Sequence, residues 1–290
     1  MQIESLKVFC DLAETKSFTR AAQINSVTQS AVSQTMTSLE KHYKVPLVER
    51  SKKNFRLTCE GQAVYDYSKH ILQSYEAILS KMQELKNEIS GQIHIATIYS
   101  IGLYDLPPHI KRFLKEHPLV NLRVEYRHEN QVNQDVIGSI VDLGLVAYPG
   151  RDPRLEIVLW REDPLVLICH PQNPLAGLKS IKLKALQGQK VISFERDTPT
   201  RKALDKILKD QRVVVEHVRE FDNVETLKRT VEIDMGVAIV PEETARQEVA
   251  NRTLTAVKLE GNYHRELGVI YKKNKVLSPA MKAFIELLKA

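Results

Sequence analysis

Several things missing from this 290-residue chain narrow its class at once. No stretch approaches the roughly 20 uninterrupted apolar residues that a membrane-spanning helix needs, so no membrane partner is expected. The opening Met1-Gln2-Ile3-Glu4-Ser5-Leu6-Lys7 has no basic segment leading into an apolar run, which argues against export and for a cytoplasmic location. Cysteine is scarce: Cys10, Cys59 and Cys169 are odd in number and far apart. They suit a reducing compartment and argue against a disulfide framework or a CxxC centre. No internal repeat and no low-complexity segment is present. HExxH, GxSxG and GxxxxGK[ST] patterns are all missing, and no His/Cys spacing suits a metal. The expectation is therefore no catalytic residue, no metal and no cofactor. Cys10 and Cys169 sit in apolar patterns and read as packing. Cys59 stands where a helix dipole can activate a thiol, which admits redox sensing, although a plain turn residue suits it better.

What is present is ordinary in bulk, with 43% apolar residues and a length that fits two or three domains. The charge is not evenly spread. Between Arg20 and Arg56 seven Lys/Arg (20, 41, 44, 50, 52, 53 and 56) face two acids, Glu40 and Glu49. The whole chain carries only +6, so the remainder nearly cancels. A short basic segment on an otherwise neutral protein is the electrostatic footprint of nucleic-acid binding.

Helical spacing surrounds that charge. Ile3, Leu6, Cys10 and Ala13 share one face of a first helix, Gln2 to Glu14. Ser17 suits the N-cap of a short second helix, Phe18 to Ile24, and Thr28 the N-cap of a third, Gln29 to Tyr43. In the third, Val32, Met36, Leu39 and Tyr43 form the inward stripe. Gln29, Ser30, Ser33, Gln34 and Thr37 form the other, all neutral hydrogen-bonding side chains suited to base edges and phosphates. A polar surface helix of an ordinary bundle has the same look, but the adjoining basic hairpin favours DNA. Arg50-Ser51-Lys52-Lys53-Asn54-Phe55-Arg56 reads as two short strands around a charged tip, a wing beside the third helix.

The succession Ser-Phe-Thr-Arg-Ala-Ala, Thr-Gln-Ser-Ala-Val-Ser-Gln, Val-Pro-Leu-Val-Glu-Arg and Leu-Thr-Cys-Glu-Gly resembles the N-terminal signature of the LysR-type transcriptional regulators. The match covers about the first 60 residues and is specific; beyond them it is architectural. Val48 departs from it, since the family usually carries Phe there, which should loosen wing packing slightly. The resemblance implies a winged helix-turn-helix in which Gln29, Ser30, Ser33 and Gln34 face the groove. Arg20, Thr28, Thr37, Arg50, Lys52, Lys53 and Arg56 complete the expected DNA-binding set. It also implies double-stranded DNA, RNA polymerase and further copies of the chain as partners, and tetramers are common among such proteins.

Thr58 suits the cap of a long linker helix running to about Ile89. Val64, Ile71, Ile78 and Leu85 fall seven apart, with Tyr67, Tyr75, Met82 and Ile89 filling in around them at +3 or +4. Such a pattern argues for a seam between two helices and hence for a homodimer reading an inverted-repeat operator.

After Ser90-Gly91 strands and helices alternate, which indicates α/β layers with parallel sheets. Strands are expected at Ile93–Ile98, Leu122–Tyr126, Leu143–Ala147, Leu165–Cys169, Val191–Phe194, Val213–Val215, Gly236–Pro241 and Leu267–Tyr271. Helices are expected from Pro107, over Val132–Ile140, Thr200–Asp210 and Val224–Ile233, and from Pro279 to Leu288. By resemblance this is a periplasmic-binding-protein-like effector domain of two subdomains. The expected partition is 1–58 for the DNA-binding domain, 59–89 for the linker helix, 90–161 with 266–290 for subdomain I, and 162–265 for subdomain II.

Ligands in such folds sit beyond the carboxyl ends of strands, at helix N-termini. Tyr99-Ser100-Ile101-Gly102 and Arg196-Asp197-Thr198-Pro199-Thr200-Arg201 are the best loops, and their positive helix ends with Arg196 and Arg201 favour a small anion. Ser100 and Thr200 match effector-contacting positions of the family, though simple N-capping suits both equally. Arg201 is a candidate too, despite reading well as an exposed helix charge. His128, Glu129 and Asn130, Tyr148, and Asn223 are further residues within reach. The rival to a regulator is a receptor of the solute-binding class without DNA regulation, against which the basic helix-turn-helix speaks.

Overall fold

The computed structural model describes residues 2–50, 55–85 and 88–289. Three helices make the head: α1 (Ile3–Thr15), α2 (Phe18–Ile24) and α3 (Gln29–Tyr43). Each boundary has a local cause. The left-handed Lys16 closes α1, the Ser17 hydroxyl accepts from the Arg20 N–H at 3.3 Å to open α2, and the Thr28 hydroxyl accepts from Ala31 at 3.2 Å to open α3. Leu6, Phe9 and Leu12 of α1 bury against Ala21 and Ala22 of α2 and against Val32, Met36 and Leu39 of α3. The small alanines let the helices close on one another.

Strands β1 (Val48–Arg50) and β2 (Phe55–Leu57) pair antiparallel as the wing. Helix α4 (Cys59–Leu85) follows, capped by the Thr58 hydroxyl, which accepts from the Gly61 N–H at 2.8 Å. Gly61 is where α4 crosses the chain at Leu47: a Cβ there would lie 2.0 Å from the Leu47 carbonyl oxygen. Two features of the linker differ from expectation. Val64 packs into the head core rather than opening a seam, and Ile89 lies beyond α4, packed against subdomain I.

The effector region divides into two cores. Subdomain I holds β3 (Gly91–Thr97), α5 (Leu106–Glu116), β4 (Val120–Tyr126), α6 (Glu129–Ile137) and β5 (Leu143–Ala147), with β6 (Leu155–Cys169) leaving it. Subdomain II holds β7 (Ser180–Ile181), β8 (Lys190–Phe194), α7 (Pro199–Asp210), β9 (Glu216–Phe221), α8 (Val224–Glu232), β10 (Ala238–Pro241), α9 (Glu242–Ala250) and β11 (Thr255–Leu259). Strand β12 (His264–Lys272) returns to subdomain I, and α10 (Pro279–Lys289) covers it.

The sheets are mixed rather than parallel. β3 runs parallel to β4 and β5, while β12 pairs antiparallel with β5 and β6. In subdomain II β6 pairs antiparallel with β10 and β11, and β8 runs parallel to β9. The antiparallel pairs arise because β6 and β12 are the two crossings between subdomains and run side by side in opposite directions. Two expected elements move. The helix placed at Val132–Ile140 begins at Glu129, and Val213–Val215 is not a strand. Val213 is instead a buried anchor, Val214 is 69% exposed, and the strand starts at Glu216, whose N–H donates to Gln189. No described helix is long and apolar enough to cross a membrane.

Candidate functional site

The outer face of α3 carries Gln29, Ser30, Ser33, Gln34 and Thr37, all exposed, opposite the buried Val32, Met36 and Leu39. Thr28 serves as the cap and its hydroxyl also lies 2.8 Å from that of Ser30; the Thr37 hydroxyl donates to the Ser33 carbonyl at 3.0 Å. Among the described residues no group bonds the Gln29, Ser33 or Gln34 side chains. Arg20 and Arg56 are exposed on α2 and β2, and Arg50 closes β1. Lys52 and Lys53 lie outside the described residues. Past the head, α4 exposes Tyr67, Ile71, Tyr75, Ile78, Leu79 and Met82, an apolar stripe of the kind a second helix covers.

A narrow cleft opens where the two subdomains meet. Ser100, His128, Thr198, Thr200 and Asn223 line it, together with Glu129 and Arg265. Three helix N-termini converge here. Thr198 caps α7 and accepts from the Arg201 N–H, Asn223 caps α8 and accepts from Thr226, and His128 precedes α6 without a side-chain cap. Free first-turn N–H groups and the aligned dipoles make such a place attractive to an anion. Thr200 is buried, and no described protein group bonds its hydroxyl.

Ser100 is not a helix cap. Its backbone is already helical, at the start of a π-helical turn (Ile101–Asp105), and its hydroxyl accepts from Arg265 Nη1 at 2.9 Å. Arg265 is 1% exposed and is held by Asp163, its register partner across β6 and β12, at 2.7 Å. Asp105 completes this buried cluster and pairs with Arg161. Burial and then the Asp163 carboxylate push Asp105 up to about 6, against the pull of Arg161 and Arg265. Ser100 is thus wired to both crossing strands. Nothing in the chain's patterning pointed to Arg265, which lies 165 positions from Ser100.

Four candidates lie elsewhere. Arg201 is neither an exposed charge nor a cleft residue: it is 4% exposed, and its guanidinium is used by Asp205, Glu220 and the Phe194 carbonyl. Ile101 is a core residue, and at Gly102 the backbone passes so near Thr97 and Tyr126 that a Cβ would meet both at 2.6 Å. Tyr148 packs against the subdomain I core and donates its hydroxyl to the His264 carbonyl at 3.3 Å.

Across the cleft mouth His128 Nε2 stands 3.7 Å from Asp197, which also accepts from Asn130 at 3.3 Å. Behind it, Tyr104 of subdomain I donates to Glu225 and accepts from the buried Lys228, each at 2.5 Å. Among the described residues one group, His128 with Glu195 and Asp197, brings possible ligand atoms within 4.8 Å of one another. Both acids are exposed, and His128 and Asp197 already face each other across the cleft. Burial pushes the Cys10 thiol up to about 12 and the Cys169 thiol up to about 11, which leaves neither reactive near neutral pH.

Residues 3–62 match the family described as bacterial regulatory helix-turn-helix protein, lysR family, and residues 86–290 match the LysR substrate binding domain. The RuBisCO operon transcriptional regulator of Allochromatium vinosum is 30% identical over 287 residues, 99% of this chain and 95% of that protein. Full-length CbnR complexed with its target DNA superposes with a TM-score of 0.62 at 21% identity, covering 100% of this chain and 99% of that one. The CcmR regulatory domain of Synechocystis PCC6803 in complex with 2-PG superposes with a TM-score of 0.63 at 23% identity, covering 69% of this chain and 96% of that one. With both its head and its effector region matched, the chain belongs to the LysR family of DNA-binding transcriptional regulators.

Proposed function

We propose that this regulator answers a small anionic metabolite bound between its subdomains, and that the ligand changes how a dimer presents its heads to an inverted-repeat operator. The observation that carries the anionic reading is the convergence of the α6, α7 and α8 N-termini on one cleft, with the unbonded Thr200 hydroxyl and the Arg265-held Ser100 between them. The 2-PG bound to the CcmR regulatory domain is an anion on the same fold, which supports the class of ligand rather than its identity.

The mechanism is population shift. Subdomains joined by only two crossing strands have more than one relative arrangement, and a ligand that touches both favours the one in which its contacts coexist. Ser100 and Glu129 belong to one side of the cleft, Thr198, Thr200 and Asn223 to the other. In the head, Gln29, Ser33 and Gln34 read bases, while Arg20, Arg50, Lys52, Lys53 and Arg56 hold phosphates. The α4 stripe supplies the dimer seam, and RNA polymerase is the partner through which occupancy becomes transcription.

Ser100→Ala combined with Thr200→Ala tests the cleft. A thermal-shift panel of small anions including 2-PG should identify ligands that raise the melting temperature of the wild type by several degrees. The double variant should lose that shift and the ligand-dependent change in DNA affinity while keeping unliganded operator binding. A full response in the double variant would move the ligand site out of the cleft.

A further inference from the structure

One lining residue does not fit a simple anion pocket. Glu129 is the first residue of α6, 5% exposed and in the cleft wall. Among the described residues it has no hydrogen-bond or ion-pair partner. A buried carboxylate at that spot would oppose the very ligand that three helix N-termini attract. Resting on the cleft reading above, we propose that Glu129 is the selectivity residue of this site: it acts as a neutral carboxylic acid and donates its proton to an oxygen of a fully ionised oxyanion.

The surroundings support this state. Burial pushes the Glu129 carboxyl up to about 8, with Arg265 on β12 and Lys202 on α7 as the only charges pulling it down. Arg265 engages Asp163 and Ser100 through Nε and Nη1, and its Nη2 makes no hydrogen bond among the described residues, to Glu129 included. The other ionisable groups around it are Arg127 and His128 on its own approach, Asp222 across the cleft, and Tyr148, whose phenol burial pushes up to about 12. Asp222 accepts from Asn223 at 2.7 Å and has its own partner. The free carboxylic acid at the α6 N-terminus, where the uncapped first N–H groups also point, adds a donor to the cleft wall, with the exposed Asp222 as the other carboxylate lining the cleft. An oxyanion that still carries a proton loses nothing by meeting an ionised Glu129; a fully ionised one requires the acid form. The device therefore selects the charge state of the ligand and ties its binding to proton uptake in alkaline solution.

The test uses the full chain with inorganic sulfate, whose charge does not change between pH 7 and pH 9.5. If only the acid form binds, the apparent Kd follows the protonated fraction and rises about thirtyfold across that range. Glu129→Gln cannot ionise and should reduce this change to less than about twofold. Calorimetry in two buffers at pH 9 gives a second reading on the wild type alone, which should take up close to one proton per sulfate bound. A flat wild-type profile, a tightening with pH, or an unchanged slope in Glu129→Gln overturns the assignment of Glu129. The cleft reading survives that result if Ser100→Ala still weakens sulfate. No sulfate binding at pH 7, or binding indifferent to Ser100→Ala, overturns both.

Discussion

At the scale of single residues, the division between ligand contacts and buried scaffolding follows from where each charge is satisfied. Arg201 and Arg265 are both buried arginines near the cleft; Arg201 lies outside the cleft lining, and Arg265 lines it with only Nη2 left without a hydrogen bond among the described residues. Arg201 ties the start of α7 to Glu220 on β9, whereas Arg265 ties Ser100 to Asp163. Replacing Arg265 with Met should leave the buried Asp163 without its closest cation and cost about 3 kcal/mol, the usual penalty for half of a buried pair. Urea unfolding of the full chain measures it, and a midpoint equal to the wild type would mean the cluster is not buried as described. The motif-borne residues were legible in the chain itself: Ser17 and Thr28 cap their helices, and Ser100, Thr198, Thr200 and Asn223 all reach the cleft. Arg201 was not, because its role depends on Glu220, brought alongside only when β9 pairs with β8.

Among elements, the junction of α1, α4 and β12 links head and effector region within one chain. Glu14 accepts from Lys69 at 2.5 Å and from Tyr65 at 2.9 Å, and it pairs with Lys272, which also reaches Ser139. Burial alone would raise the Glu14 carboxyl; Lys272 and Lys69 outweigh it and hold it below its ordinary value. Burial and the competing Lys69 lower Lys272 even so, because two ammonium groups share one carboxylate, and the strength of the node is read from Glu14. A depressed carboxyl stabilises the fold above its unfolded value, near 4.5, and that contribution is lost as pH falls through the folded value. Glu14→Gln should therefore be less stable by about 2 kcal/mol at pH 7 and lose its deficit in acid, between the limits for exposed and buried pairs. Melting temperatures at pH 7 and pH 3.5 check both the size and the sign. This junction left no trace in the sequence, since Glu14 lies 55 residues from Lys69 and 258 from Lys272, whereas α2 and α3 were readable from spacing and caps alone. The helix that begins at Glu129 was placed three residues late because its first turn, Glu129 to Gln131, is polar and follows no apolar stripe.

For the whole molecule, the stripe on α4 is the feature that asks for a second copy. Ile71 and Ile78 are 44% and 57% exposed, and Tyr67 is 74% exposed, on a helix of 27 residues that spans roughly 40 Å. Glutamates in place of Ile71 and Ile78 would force charges into an apolar seam, and monomers are expected by light scattering at micromolar concentration. Those monomers should keep their fold by circular dichroism and lose at least about tenfold in operator affinity, since two heads no longer bind together. An unchanged dimer would place the interface on another surface. The two-subdomain architecture was readable from alternating strands and helices, but the antiparallel pairing was not: it is set by β6 and β12 crossing together, a property of the closed fold rather than of either segment.

The most direct test of the account is the affinity of the purified full chain for its own upstream DNA and for a scrambled duplex, by fluorescence anisotropy at 50 and 200 mM salt. A regulator gripping phosphates through its basic head should prefer the upstream fragment and weaken by about a thousandfold over that salt range. Equal binding to both duplexes, or none to either, would contradict it.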